Sequence, residues 1–157
     1  MQLSINAYKP LDYHLDLGAR LAELRNRGVI IIGSGNIVHN LAAINWRLGD
    51  AGFDWAARFD DAAQHLLTSE PTEALRLLEH RDYDHAVPTP DHFIPMLYVA
   101  GSAGAANSAL DVLVGGHSYG SLSMTSYSIG LTTTVTADGE TKPPSRDTDA
   151  PADQSNI

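Results

Sequence analysis

The sequence contains no cysteine, which excludes a disulfide framework, a thiolate zinc site and a cysteine nucleophile. Basic residues are scarce, with 10 Lys and Arg against 19 Asp and Glu for a formal net charge of −9. Such a chain lacks the footprint needed to hold phosphate backbones, so general nucleic-acid binding is excluded, and a basic membrane-surface face is excluded on the same ground. Long apolar runs are also missing. No stretch approaches the roughly 18 residues of a membrane span, and Met1-Gln2-Leu3-Ser4-Ile5-Asn6 shows no basic region leading into an apolar one. The expectation is a soluble, cytoplasmic protein with neither nucleic-acid nor membrane partners. Any metal chemistry then falls to His, Asp and Glu, and the chain has 7 histidines.

What is present suits one globular unit or part of a larger one: 157 residues, 43% hydrophobic. The composition is uneven. From Thr133 onward there are 5 acidic and 2 basic residues, three prolines, and only Val135 and Ile157 as large aliphatics. That stretch cannot bury enough apolar surface to offset its ordering entropy, so 131–157 is expected to be a disordered acidic tail behind a folded region at 1–130.

The alternation in Gln2 to Asn6 predicts a strand with Leu3 and Ile5 on one face. A helix is predicted after Pro10, with Leu15, Leu17, Leu21 and Leu24 as its stripe and Gly28 as its stop. The aliphatic run Val29-Ile30-Ile31-Ile32 then reads as a strand buried on both faces. Strand, helix and buried strand make a βαβ unit, and the fold class expected is α/β, a mostly parallel sheet flanked by helices. Further helices are predicted over Ile37 to Leu48, Trp55 to Leu67, Pro71 to Glu79 and Pro90 to Ser102, and closing strands over Leu110 to Val114 and Ser121 to Ile129.

Three motifs carry candidate chemistry. In Gly33-Ser34-Gly35-Asn36-Ile37-Val38-His39-Asn40 a glycine turn joins the aliphatic strand to the next segment. It fails as a dinucleotide fingerprint, because Val38 occupies the sixth position. On a helix, Ile37, Leu41, Ile44 and Leu48 share one side and His39 falls on the other, beyond the end of a buried strand, where α/β sheets place their ligands. A solvated or interface histidine is the plainer reading, and both stay open.

In Thr89-Pro90-Asp91-His92-Phe93-Ile94-Pro95-Met96 the helix start displays His92 in its first turn, with Pro95 removing a hydrogen-bond donor. A metal ligand and an incidental histidine at a capped helix both fit. Gly116-His117-Ser118-Tyr119-Gly120 matches the nucleophile elbow of serine hydrolases, yet no histidine follows His117 and the next segment alternates like a strand, which favours a simple turn. His14, His65 and His80 read as surface residues, the pair Asp60-Asp61 as a solvated helix face, and His85 as a loop histidine that can line the cleft of His92.

Taken together, Gly33 to Leu41, Thr89 to Tyr98 and Gly120-Ser121-Leu122-Ser123-Met124 resemble the C-terminal half of the DOPA extradiol dioxygenase family, class III ring-cleaving enzymes related to protocatechuate 4,5-dioxygenase. Gln2-Leu3-Ser4-Ile5 is similar to the strand preceding that half, so the resemblance covers about residues 2–130. It implies a non-haem divalent metal, Fe(II) or Zn(II), that gathers a catechol and O2 for ring cleavage beside the hydroxyl carbons. By resemblance His39 stands at the acid/base position and can itself reach the metal, and His92 stands at a metal-ligand position; His85 is a weaker candidate for substrate contact. The family's other two metal histidines lie in a His-Gly-Ser-Pro turn and a Ser-Ala-His-Trp segment, and neither occurs in this sequence.

The expectation is therefore the C-terminal portion of a dioxygenase, inactive alone and completed by a missing N-terminal half or prone to self-association through the surface that half would cover. The rival is a non-catalytic α/β binding or interaction module that has lost the metal site.

Overall fold

The computed structural model describes residues 1–131. Beyond Leu131 the expected acidic tail lies outside the described residues.

The helices, in chain order, are α1 (Leu11–Leu21), α2 (Glu23–Asn26), α3 (Asp54–Ser69), α4 (Tyr83–Ala86) and α5 (Ile94–Ala105), with 3-10 segments at Leu41–Ala43 and Pro71–Glu79. The strands are β1 (Asp111–Val114), β2 (His117–Ser118), β3 (Leu122–Ser123) and β4 (Ser126–Ser128).

The core forms around α5. This helix is apolar on every side, and residues Ile94 to Tyr98 and Ala100 to Ala103 are all buried, as an apolar helix without a polar face must be. On one flank of α5 lies the 3-10 segment Pro71–Glu79, and against that segment packs α3, whose Ala56, Phe59, Ala63 and Leu67 recur at helical spacing and are fully buried in the same core. Each large apolar side chain taken fully out of water there contributes roughly 1.5–3 kcal/mol. The 3-10 segment Pro71–Glu79 adds Ala74 and Leu77 to the same core.

On the other flank α1 lies directly against α5. A Cβ at Gly101 would run into the backbone carbonyl of Leu15, so only glycine allows this approach. Ser102 Oγ donates to the Gly18 carbonyl at 3.0 Å, and His14 Nδ1 pairs with the Tyr98 hydroxyl at 2.9 Å. His14 is thus fully buried, contrary to its expected surface position, because α1 meets α5 along its 14/18 face.

The mostly parallel sheet expected from the βαβ pattern is not formed among the described residues. Instead β1 pairs antiparallel with β4, and β2 pairs antiparallel with β3 in a hairpin that contains the His117-Ser118-Tyr119-Gly120 turn. Among the described residues the single parallel contact is an isolated bridge between Gly52 and Gly120. Among the described residues Gln2 to Asn6 and Val29 to Ile32 belong to no ladder, and Ile30 and Ile32 are 84% and 85% exposed. Their aliphatic pattern encodes a preference for burial but no hydrogen-bonding neighbour, and a strand exists only when one is present.

The helix predicted over Ile37 to Leu48 is replaced by a turn and three 3-10 residues. Its backbone donors go to distant acceptors: His39 N–H to Ala86 O at 2.9 Å, Asn40 N–H to Ser121 O at 3.2 Å and Asn45 N–H to Tyr119 O at 2.9 Å. Asn40 Oδ1 accepts from Ala43 N–H at 3.1 Å, a local bond of the kind that competes with helix propagation. Finally, α5 begins at Ile94, four residues later than predicted, and Pro95 sits in its first turn, where the missing N–H costs nothing.

Candidate active site

The glycine-turn segment runs over the start of α5. A Cβ on Gly35 would strike the His92 carbonyl oxygen and lie 3.2 Å from the Pro95 ring, so the absent side chain lets the segment rest on the turn that carries His92. That turn is closed by Phe93 and Ile94 N–H groups donating to Pro90 O at 3.0 and 2.8 Å. His92 therefore lies in the turn before α5 and not within the helix.

Beyond Gly35 the chain is held on both sides of His39. On one side, Asn36 Nδ2 donates to Ser123 O at 2.7 Å, Ser123 N–H to Val38 O at 3.0 Å, and Ser121 Oγ to Asn40 O at 2.7 Å, while His39 bridges Leu122. On the other side, His39 N–H reaches Ala86 O and Asn40 Nδ2 donates to His85 O at 2.8 Å. The resulting position of His39 owes nothing to a helical face.

The two candidate histidines come together. The imidazole rings of His39 and His92 stack with centroids 3.6 Å apart and planes 11° from parallel. His92 Nε2 lies 3.5 Å from Asp91 Oδ2, and 41% of the His92 side chain is exposed. Burial first, and the neighbouring His92 second, lower the pKa of His39, against the opposing pull of Asp91. The Asp91 carboxyl is lowered chiefly by a hydrogen bond from Thr89, with His92 and His39 adding to the effect. Beside His92 opens a cavity of about 130 Å³ lined by Gly35, Ile37, Met96, Leu110, Thr125 and Tyr127 among others.

His85 does not join this pair through its ring. Its backbone is tied next to His39, but the exposed imidazole stacks on Trp55 with centroids 4.2 Å apart. His117, read with Ser118 as a possible hydrolase elbow, stands on a hairpin, which is not the strand–turn–helix that an elbow requires.

The site also rests on a residue placed at the surface by the sequence reading. Asp60 is fully buried and accepts from Ser123 Oγ at 2.5 Å, Thr125 Oγ1 at 2.7 Å and Gln64 Nε2 at 3.1 Å. Its spacing from Ala56, Ala63 and Leu67 puts it on the buried stripe of α3, a signal that was present in the sequence beside the solvated Asp61.

Residues 1–131 match the family described as the catalytic LigB subunit of aromatic ring-opening dioxygenase. The chain belongs to this family. It is 37% identical over 134 residues to the 4,5-DOPA dioxygenase extradiol of Escherichia coli K12, and 33% identical over 128 residues to that of Beta vulgaris. These alignments take in 83% and 80% of this chain but 49% and 47% of the relatives, so the chain spans about half the length of the curated relatives it matches. A crystal structure of an Escherichia coli K12 protein superposes with a TM-score of 0.71 at 35% identity, covering 79% of this chain and 52% of that one. Membership of the LigB family thus extends over the whole described region, both candidate histidines included.

Proposed function

We propose that this chain supplies one half of an extradiol, ring-cleaving dioxygenase site for a catechol of the DOPA type and O2. His92 serves as a metal ligand, and His39 as the acid/base group that also reaches the metal. The observation that carries the reading is the close stack of His39 on His92, two imidazoles from separate motifs brought to one place in a LigB-family chain.

The donor chemistry fits in part. Imidazole nitrogens suit Fe(II) and Zn(II), but among the described residues there is no group of three or more His, Cys, Asp or Glu side chains that could hold a metal. The remaining ligands of a facial three-ligand site would come from outside these residues. What His39 contributes follows from its own surroundings. With its pKa lowered by burial, its imidazole stays neutral near pH 7 and can take a proton from a catechol hydroxyl and return it later. His85, stacked on Trp55 beside this turn, is a secondary candidate for contact with substrate.

Two observations support a requirement for a complementary half. The chain covers 47–49% of its relatives' length. It also presents Val29, Ile30, Ile32, Leu113 and Leu131 to solvent along one grooved face, an apolar surface of the kind that marks interaction sites.

The test is anaerobic Fe(II) reconstitution followed by a catechol such as DOPA in air, read by the absorbance of the ring-opened product. The chain alone is expected to show no turnover. Activity should appear with a polypeptide bearing the His-Gly-Ser-Pro and Ser-Ala-His-Trp segments, and vanish with His39→Ala or His92→Ala. Robust turnover by the isolated chain overturns the requirement for a second half. Absence of both metal binding and turnover in the complemented protein overturns the enzyme reading in favour of a non-catalytic interaction module.

A further inference from the structure

We propose that Asp60 is the positioning residue that holds His39 against His92. The inference rests on the reading of that pair as a dioxygenase site, but the geometry behind it is independent of any bound group.

A carboxylate buried in an apolar helix face is costly unless its acceptors are used. Asp60 uses both. Oδ1 accepts from Ser123 Oγ at 2.5 Å, and Oδ2 accepts from Thr125 Oγ1 at 2.7 Å and from Gln64 Nε2 at 3.1 Å. His117 Nε2, buried and without a hydrogen-bond partner among the described residues, lies 3.9 Å from the same Oδ2. Three of these four groups, His117, Ser123 and Thr125, belong to the β2–β3 hairpin and the residues just after it.

The hairpin in turn carries the His39 segment. Ser123 receives Asn36 through its carbonyl and donates its N–H to Val38, Leu122 bridges His39, and Ser121 exchanges bonds with Asn40. Asp60 on α3 is therefore two hydrogen bonds, through Ser123, from the backbone just before His39, and the same hairpin reaches Asn40 just after it through Ser121. Apolar contacts in its place would bury area equally well but would let β3 slide along α3, because burial is non-directional whereas hydrogen bonds to two fixed hydroxyls set position and register.

Asp60→Asn and the pair Ser123→Ala with Thr125→Val, each made in the full chain, test this by NMR of the histidine ring protons. His39 and His92 ring protons should lose the upfield displacement that stacking imposes, while His65, exposed on α3, keeps its shifts. In the complemented protein, Co(II) affinity should fall about tenfold, as for loss of a group that orients a ligand. A purely structural role lowers the melting temperature and leaves both ring signatures intact in the folded protein, and that result overturns the proposal. Should either variant not fold, the other decides. If the wild-type complemented protein neither binds Co(II) nor opens catechols, the dioxygenase reading falls, while the ring-proton comparison still judges Asp60.

Discussion

Replacing Gly35 with alanine puts one methyl group where the structure has no room for it. The new Cβ would strike the His92 carbonyl oxygen and sit 3.1 Å from the His92 carbonyl carbon and 3.2 Å from Pro95 Cγ. Two of these neighbours are backbone atoms of the turn closed on Pro90, so neither can swing aside as a flexible side chain would. Relief requires the Gly35 segment to lift off α5, and overpacking of this kind costs about 1–3 kcal/mol. For a folded region of this size that corresponds to a fall in Tm of roughly 3–12 °C. The same displacement should part the His39 and His92 rings, now 3.6 Å apart. Gly115→Ala is the control, because a Cβ there meets nothing within 4 Å. Thermal melts followed by circular dichroism, with NMR of the two imidazoles, give both readouts. A Gly35→Ala protein that melts with Gly115→Ala and wild type, its ring signals unshifted, would refute the claim that this contact sets the site.

Three further outcomes are expected. Asn40→Ala removes the donor to His85 O and the acceptor for Ala43 N–H, and should cost about 1–3 kcal/mol in urea denaturation by leaving those backbone groups short of partners. Stability should decline in two steps as pH falls. Burial lowers the pKa of His14 and of His39, so the unfolded chain binds these protons first and stability is lost as pH drops through the ordinary imidazole range; His14→Gln should shrink this upper step and leave the His39 share. Asp82 is lowered chiefly by its hydrogen bond with Arg58, so its contribution is present above the ordinary carboxylate range and is lost below it; Arg58→Gln flattens this lower step. Ile30→Lys with Ile32→Lys should shift the isolated chain towards monomer in sedimentation velocity, and an unchanged distribution would show that this face does not drive association.

Much of the helical framework was legible from residue order. The spacing of Ala56, Phe59, Ala63 and Leu67 marks α3, and the dense apolar run from Phe93 marks α5, because a 3.6-residue period is local information. The motifs around His39 and His92, and their likeness to ring-cleaving dioxygenases, were equally visible, and the family match over residues 1–131 agrees with that likeness. Asp60 was legible in principle from its place on the α3 stripe, but its charge argued for solvent.

Other features had no local signature. Ile37, Leu41, Ile44 and Leu48 keep a helical rhythm, yet the backbone there bonds to Ala86, Tyr119 and Ser121, residues far along the chain, and forms a turn. Val29 to Ile32 has the aliphatic pattern of a buried strand but no strand neighbour among the described residues. Composition and periodicity thus sufficed for the acidic, cysteine-free character and for α3 and α5, and the resemblance of the surrounding motifs singled out His39 and His92 as candidates. The stacking of those histidines, the burial of His14 and Asp60 and the antiparallel pairing emerged only in three dimensions. They depend on which distant donor meets which acceptor, and that choice is made by the packed chain as a whole.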